Sequence, residues 1–272
     1  MSDLFLELMS EEIPASLLEE SANNINDIIS INLDKNNIIF NNAEFFYSPK
    51  RLVFQFRNIK PKEKNIVIRG PSVKAPRKAI EGFAQSNKIK PQKLIIKKTD
   101  KGEYYYLYKK ITDREIKSLI INILETNLVK IPWKKSMKWG ESNLKWIRPL
   151  RNILCIFNKK HIKIKLHEFV SSTHTLSSNL LNKNKIKINS GTDYFRKLKT
   201  MNVIISQHER KKYIINKGIK IASKLNLEVK FDKEITNEVV NLVEFPVLFL
   251  AKFDQKYLKL PSEILVTSMK KN

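Results

Sequence analysis

The apolar residues of this chain switch repeatedly between a period of two and a period near 3.6, and several short-period stretches come in pairs with turn residues between them. Hairpins interspersed irregularly with helices read as an α+β fold, with mixed or antiparallel sheets and helices packed on them. Residues 4–8, Leu-Phe-Leu-Glu-Leu, form the first expected strand, and Ser10 is placed to cap a helix whose first turn holds Glu11, Glu12 and Pro14. Leu18, Ala22, Ile25, Ile29 and Leu33 then recur at helical spacing, so that helix buries one face. In Arg51-Leu-Val-Phe-Gln-Phe-Arg57, Leu52, Phe54 and Phe56 alternate with Val53, Gln55 and Arg57, the pattern of a half-buried strand. A strand at 65–69 ends at Gly70-Pro71, and a short helix between Pro76 and Asn87 turns Ala79, Ile80 and Phe83 inward.

Residues 94–96 and Tyr104-Tyr-Tyr-Leu-Tyr108 flank Asp100-Lys-Gly102, a hairpin signal. Asp113 can cap a helix bearing Ile116, Ile120, Ile123 and Leu124. A second hairpin joins residues 150–157 to 162–166, whose alternation puts Lys163, Lys165 and His167 on a wet face. Helices at 193–200 and 209–225 enclose a strand at 203–205, and residues 227–231 and 247–253 add strands. There is no internal repeat. The polar stretch 177–184 is the best candidate for a boundary between two lobes, 1–176 and 185–272.

A length of 272 residues, 42% of them hydrophobic, suffices for a sizeable buried core. The net charge of +24 is unevenly spread: residues 1–40 balance to −7 and residues 226–268 to −2, whereas residues 41–225 carry 43 bases against 12 acids. A basic middle between acidic flanks suits contact with a polyanion. An excess of Lys over Arg, with abundant Asn and Ile, is also what a compositional bias of the genome produces, so both readings of the charge stand. The one cysteine, Cys155, lies in Ile153-Leu-Cys-Ile-Phe157 and reads as a small buried hydrophobe; one thiol forms no intrachain disulfide and no zinc cluster. No apolar run approaches the ~20 residues of a membrane span, and the first seven residues carry acid where a signal peptide needs base, so a cytoplasmic location is expected.

All three tryptophans fall among bases, in Pro132-Trp-Lys-Lys-Ser-Met-Lys-Trp-Gly140 and Lys145-Trp-Ile-Arg-Pro-Leu-Arg151. Indoles can stack on nucleobases while Lys134, Lys135, Lys138, Arg148 and Arg151 meet phosphates, which makes these five the candidate RNA contacts. Equally, the indoles can anchor the strand at 150–157 to a core; Met137 and Ile147 beside Trp139 and Trp146 favour burial. Lys134-Lys-Ser-Met-Lys138 lacks the His-x-Gly-His partner that a class I synthetase site requires, and Gly70-Pro-Ser-Val-Lys74 lacks the second glycine and the ending of a P-loop. His161, His167, His174 and His208 have no metal-ligand spacing, and no serine, threonine or cysteine has an evident base, so no catalytic or metal residues are assigned.

Several fragments, in order, resemble the bacterial glycyl-tRNA synthetase beta subunit family. They are Leu6-Glu-Leu-Met-Ser-Glu-Glu-Ile-Pro14, Ser48-Pro-Lys-Arg-Leu52, Arg69-Gly-Pro71, Ala79-Ile-Glu-Gly-Phe-Ala84, Lys101-Gly-Glu-Tyr104, Lys135-Ser-Met-Lys-Trp-Gly140, Ile147-Arg-Pro149, Val203-Ile-Ile205 with Glu209-Arg-Lys211, Glu244-Phe-Pro246 and Leu260-Pro-Ser-Glu263. The resemblance covers an N-terminal portion of that subunit, with the family's HD-like and anticodon-binding regions absent. It implies a fold similar to the editing-type module of the phenylalanyl-tRNA synthetase beta subunit. It also implies a non-catalytic role: supporting binding of tRNA-Gly and assembly of two alpha with two beta subunits, while the alpha subunit uses ATP and magnesium. Two departures stand out: Thr175-Leu-Ser-Ser-Asn-Leu180 replaces the family's Thr-x-Gly-His-Arg-Phe, and residues 72–78 shorten a loop. A hydrolytic proofreading module for mischarged tRNA and a stand-alone RNA-binding protein are the alternatives.

Overall fold

The computed structural model describes residues 2–62, 65–100, 102–177 and 184–270. In chain order the principal elements are β1 (Leu4–Ser10), α1 (Ala15–Lys35), β2 (Asn42–Ser48), β3 (Arg51–Arg57), β4 (Asn65–Ser72), α2 (Arg77–Ser86), β5 (Ile95–Thr99), β6 (Gly102–Lys110), α3 (Asp113–Leu128), β7 (Leu150–Phe157), β8 (Lys160–His161), α4 (Gly191–Thr200), α5 (Gln207–Ser223), α6 (Lys233–Leu242) and α7 (Ser262–Lys270). Among the described residues no helix is long and apolar enough to cross a membrane.

The central sheet runs β8-β7-β1-β3-β2 with antiparallel pairing throughout. Leu4, Leu6 and Leu8 on β1 join Leu52, Phe54, Phe56 and Cys155 in one core with Leu18, Ile25 and Ile29 of α1 and Ile120 and Leu124 of α3. The opposite face carries Phe5, Val53, Leu154 and Ile156, packed against Tyr194 and Leu198 of α4 and against Ile188, Val203 and Ile205. A sheet covered on both faces explains two features of the sequence. Residues 4–10 are all buried, and β3 is buried from Arg51 through Phe56 rather than on one face as its alternation predicts. Gln55 faces α4, which supplies the cover that the strand's own pattern does not announce. Burial pushes the Cys155 thiol far above its usual pKa, in keeping with a buried small hydrophobe.

Three strands, in the order β4-β6-β5, form a second antiparallel sheet with α2 against it. Gly70-Pro71 does not end β4: the register slips between Arg69 and Ser72, a bulge on an edge strand where the missing proline N–H is harmless. A Cβ on Gly70 would sit 2.7 Å from the Phe83 ring, so glycine is what lets α2 approach. On α2 the buried residue is Ala84, while Ala79 is exposed.

Several expected details change. Ser10 closes β1 instead of capping α1, because the amides of Ser10, Glu11 and Ile13 donate to the carbonyls of Lys50, Pro149 and Pro49 at 2.9, 2.9 and 2.7 Å. The helix therefore starts only after Pro14, and Glu11 and Glu12 pair with Arg151 and Lys50 rather than serving its first turn. Thr112, not Asp113, caps α3, in a capping box with Glu115. Lys165–Leu166 pairs with Phe169–Val170 rather than with β7, yet Ile162, Ile164 and Leu166 are buried and Lys163, Lys165 and His167 exposed, as the alternation predicts. Residues 203–205, 227–231 and 247–253 form no strands. The stretch 178–183, which holds most of the expected lobe boundary, lies outside the described residues.

Candidate functional site

The most elaborate polar site is a buried ion cluster built from sequence-distant motifs. Glu7 stands on the α4 side of β1, and Arg51 opens β3 opposite Met9; both side chains are fully buried. Glu7 Oε1 accepts from Arg51 Nη1 at 2.7 Å, Thr175 Oγ1 at 2.8 Å and the Tyr194 hydroxyl at 2.6 Å. Arg51 Nε donates to Glu244 Oε1 at 3.0 Å, where Ser48 Oγ also donates at 2.6 Å, and Arg51 Nη2 donates to the Leu176 carbonyl at 2.6 Å. One guanidinium thus ties β1, β3, the segment after β8 and the turn after α6 to one point.

The electrostatics hold the Arg51 guanidinium charged and the Tyr194 phenol protonated. Burial alone would lower the Arg51 pKa, but Glu244 and then Glu7 outweigh it and raise it above the usual arginine value. Burial first, then the Glu7 charge, push the Tyr194 phenol well above its usual pKa, so it remains a donor. The Thr175 hydroxyl is fully engaged, donating to Glu7 and accepting from Arg51 at 2.7 Å. Chemically the arrangement is a clasp, in which the hydroxyls serve a carboxylate instead of standing ready to attack a substrate.

Arg210 makes a second clasp beside the first. Its guanidinium is buried and donates to the carbonyls of Val240, Ile204, Ile205 and Tyr47 at 2.9, 2.6, 2.9 and 2.8 Å. These bonds are why residues 203–205 form no strand: two of their carbonyls face a guanidinium, and the Ile204 amide donates to the Glu244 carbonyl at 2.9 Å. Burial lowers the Arg210 pKa to about 10 against the pull of Glu244 and Tyr47, which leaves it charged near neutrality.

The tryptophans belong to the core. Trp146 is 1% exposed and meets Trp133 edge-on at 4.8 Å, and Trp139 Nε1 donates to the Trp146 carbonyl at 2.9 Å. Met137, by contrast, is exposed. The five expected RNA-contact residues are all exposed, though not equally available. Lys134 pairs with Glu20 at 3.3 Å, Arg151 pairs with Glu11, and Lys138 donates to Asn143 Oδ1 at 3.1 Å. Lys135 and Arg148 make no ion pair among the described residues. An opening of about 730 Å³ beside Trp139 is lined in part by Ser142, His167 and Glu168. There Ser142 hydrogen-bonds Glu168 and holds its carboxyl below the usual range. No group of His, Cys, Asp and Glu suited to a metal ion occurs among the described residues. Of the departing segment, Ser177 donates its amide to the Asn184 carbonyl at 3.0 Å, while Ser178 and Asn179 lie outside the described residues.

Residue patterns did not single out the clasp, although each member sits in a quotable motif: Glu7 in an otherwise apolar strand, Arg51 and Glu244 each beside a proline turn, and Arg210 in Glu-Arg-Lys. For Glu7 the signal was a charge inside an apolar run.

The sequence model of the family described as glycyl-tRNA synthetase beta subunit matches residues 4–272. The chain is similar to the glycine–tRNA ligase beta subunit of Rickettsia typhi (strain ATCC VR-144 / Wilmington), 37% identical over 276 residues covering 100% of this chain and 41% of the relative. It is likewise similar to that of Rickettsia conorii (strain ATCC VR-613 / Malish 7), 36% identical over 274 residues, 99% of this chain and 41% of the relative. The chain therefore spans about two fifths of the length of the curated relatives it matches, and it belongs to the glycyl-tRNA synthetase beta subunit family.

Proposed function

We propose that this chain is the scaffold and RNA-contacting part of a glycine–tRNA ligase beta subunit, acting in the cytoplasm in an assembly of two alpha and two beta chains. In this reading the alpha subunit binds ATP and magnesium and activates glycine, while this chain helps hold tRNA-Gly and has no adenylation site of its own. Its fold is proposed to be similar to the editing-type module of the phenylalanyl-tRNA synthetase beta subunit. The observation that supports the role is a division of labour: residues of the family-like motifs, Glu7, Arg51, Arg210 and Glu244, are engaged inside the molecule, and the exposed charge is basic.

Titration of the purified chain with tRNA-Gly and an unrelated tRNA at several salt concentrations tests this. Binding is expected to be weak and poorly selective, with each phosphate contact adding about 0.7–0.9 to the salt slope. A response flat between low and moderate salt, or a strong preference for tRNA-Gly, would overturn it. Co-purification with the alpha subunit tests assembly separately.

A further inference from the structure

Helix α2 lies against one face of the second sheet at β4, leaving Ile96 of β5 on that face 51% exposed, and the other face is open. Leu107 is buried on the side where Phe83 of α2 lies against Gly70. On the other side the register sets Val67 beside Tyr108, Arg69 and Ile95 on either side of Tyr106, and Lys97 beside Tyr104. Val67 and Ile95 are 46% and 51% exposed, and the three tyrosines are half-buried. Cations already lie over the rings: the Arg69 guanidinium is 3.7 Å from the Tyr104 centroid, and Lys97 Nζ is 5.1 Å from that of Tyr108. Residues 65–110 hold twelve Lys and Arg against three Asp and Glu.

We propose that this open face, formed by Tyr104, Tyr106 and Tyr108 with Arg69 and Lys97, is a stacking platform for unpaired nucleotides of an RNA. Three rings at alternate positions of one strand follow one another at about 6.5–7 Å, a spacing that an extended single strand can match base by base. A base that stacks on a ring displaces the cation now lying over it, Arg69 from Tyr104 and Lys97 from Tyr108, and the freed cation meets a phosphate, while the positive balance of the whole unit attracts the backbone. A duplex hides its base faces and gains only the electrostatic part. A protein partner would be favoured by a larger aliphatic surface than two exposed side chains on a face crowded with cations. This deepens the RNA-binding part of the proposed function and rests on it only for the source of the RNA.

The test uses the full chain, a fluorescein-labelled single-stranded RNA decamer and a duplex of equal charge, read by anisotropy, with thermal melting to confirm folding. The decamer is expected to bind more tightly than the duplex. Tyr106→Leu should weaken the decamer about fivefold or more, the lower end of one lost stacking contact, while Tyr106→Phe retains it. Lys97→Ala, at an exposed position, should weaken it with no change in melting, which keeps the test open if Tyr106→Leu melts early. Equal binding of decamer and duplex, or Tyr106→Leu and Lys97→Ala variants that fold and bind the decamer like the parent, would sink the platform. Decamer binding through Tyr106 with no tRNA binding at all would leave the platform standing and remove the tRNA role. Loss of tRNA binding on Lys134→Ala with Lys135→Ala, but not on Tyr106→Leu, would do the reverse.

Discussion

Removing the Arg51 guanidinium takes away the cation that bridges Glu7 and Glu244 in a buried setting. Arg51→Met is expected to lower stability by about 3–5 kcal/mol, read as a shift of the urea midpoint. Arg51→Lys should rescue little, since an ammonium cannot reproduce bonds made separately by Nε, Nη1 and Nη2. Trp146→Ala should cost a comparable ~3–5 kcal/mol. Lys134→Ala and Lys135→Ala should each stay within about 0.5 kcal/mol, because the Glu20 partner of Lys134 is exposed and such pairs add little. If Trp146→Ala leaves the midpoint unchanged, its place in the core is wrong. At this scale the sequence was legible where one chemistry dominates: Cys155 as a buried hydrophobe, the indoles as anchors. It was opaque for Glu7 and Arg51, because a charge is buried only when distant partners arrive, and no local pattern states which partners those are.

Helix α3 illustrates how far local signals reach. Its apolar spacing gives the inward residues Ile116, Ile120, Ile123 and Leu124, and the cap lies one residue from where Asp113 suggested it, at Thr112. Hydrogen bonds from Lys109 first, and then from Thr112, hold the Glu115 carboxyl down to about 2. A carboxylate depressed in the folded state contributes stability above its unfolded value of ~4.3 and loses it as pH falls through about 2. Thr112→Ala should therefore cost about 1 kcal/mol near neutrality, and its gap from the parent should narrow between pH ~4.3 and about 2 in denaturation curves. A gap independent of pH in that window would show that the box is not what Thr112 provides. The expected strands that do not form mark where local signals stop. Residues 247–253 have strand composition, yet Val247 and Phe249 are 76% and 84% exposed, and a strand exists only where a neighbour pairs with it. Conversely β3 gained a second buried face from α4, more than 130 residues downstream.

For the whole molecule, the proposed division of labour predicts that the purified chain does not support glycine-dependent pyrophosphate exchange; measurable exchange without an alpha subunit would overturn that assignment. The β5–β6 hairpin and the periodic helices were readable from spacing, but the pairing of residues 162–166 and the five-stranded order were not, because β7 reaches β1 across more than 140 residues. The Arg51 clasp carries a consequence for synthesis. Glu244 lies 193 positions after its arginine, so at ribosomal speeds of about 5–20 residues per second roughly 10–40 s pass before the second carboxylate exists. During that interval the nascent sheet holds Arg51 with its bond to Glu244 still unmade. Nascent chains arrested before residue 244 should thus be cleaved readily by protease, and chains released beyond it should become resistant, once Arg51, Ser48 and Ile204 have all found Glu244.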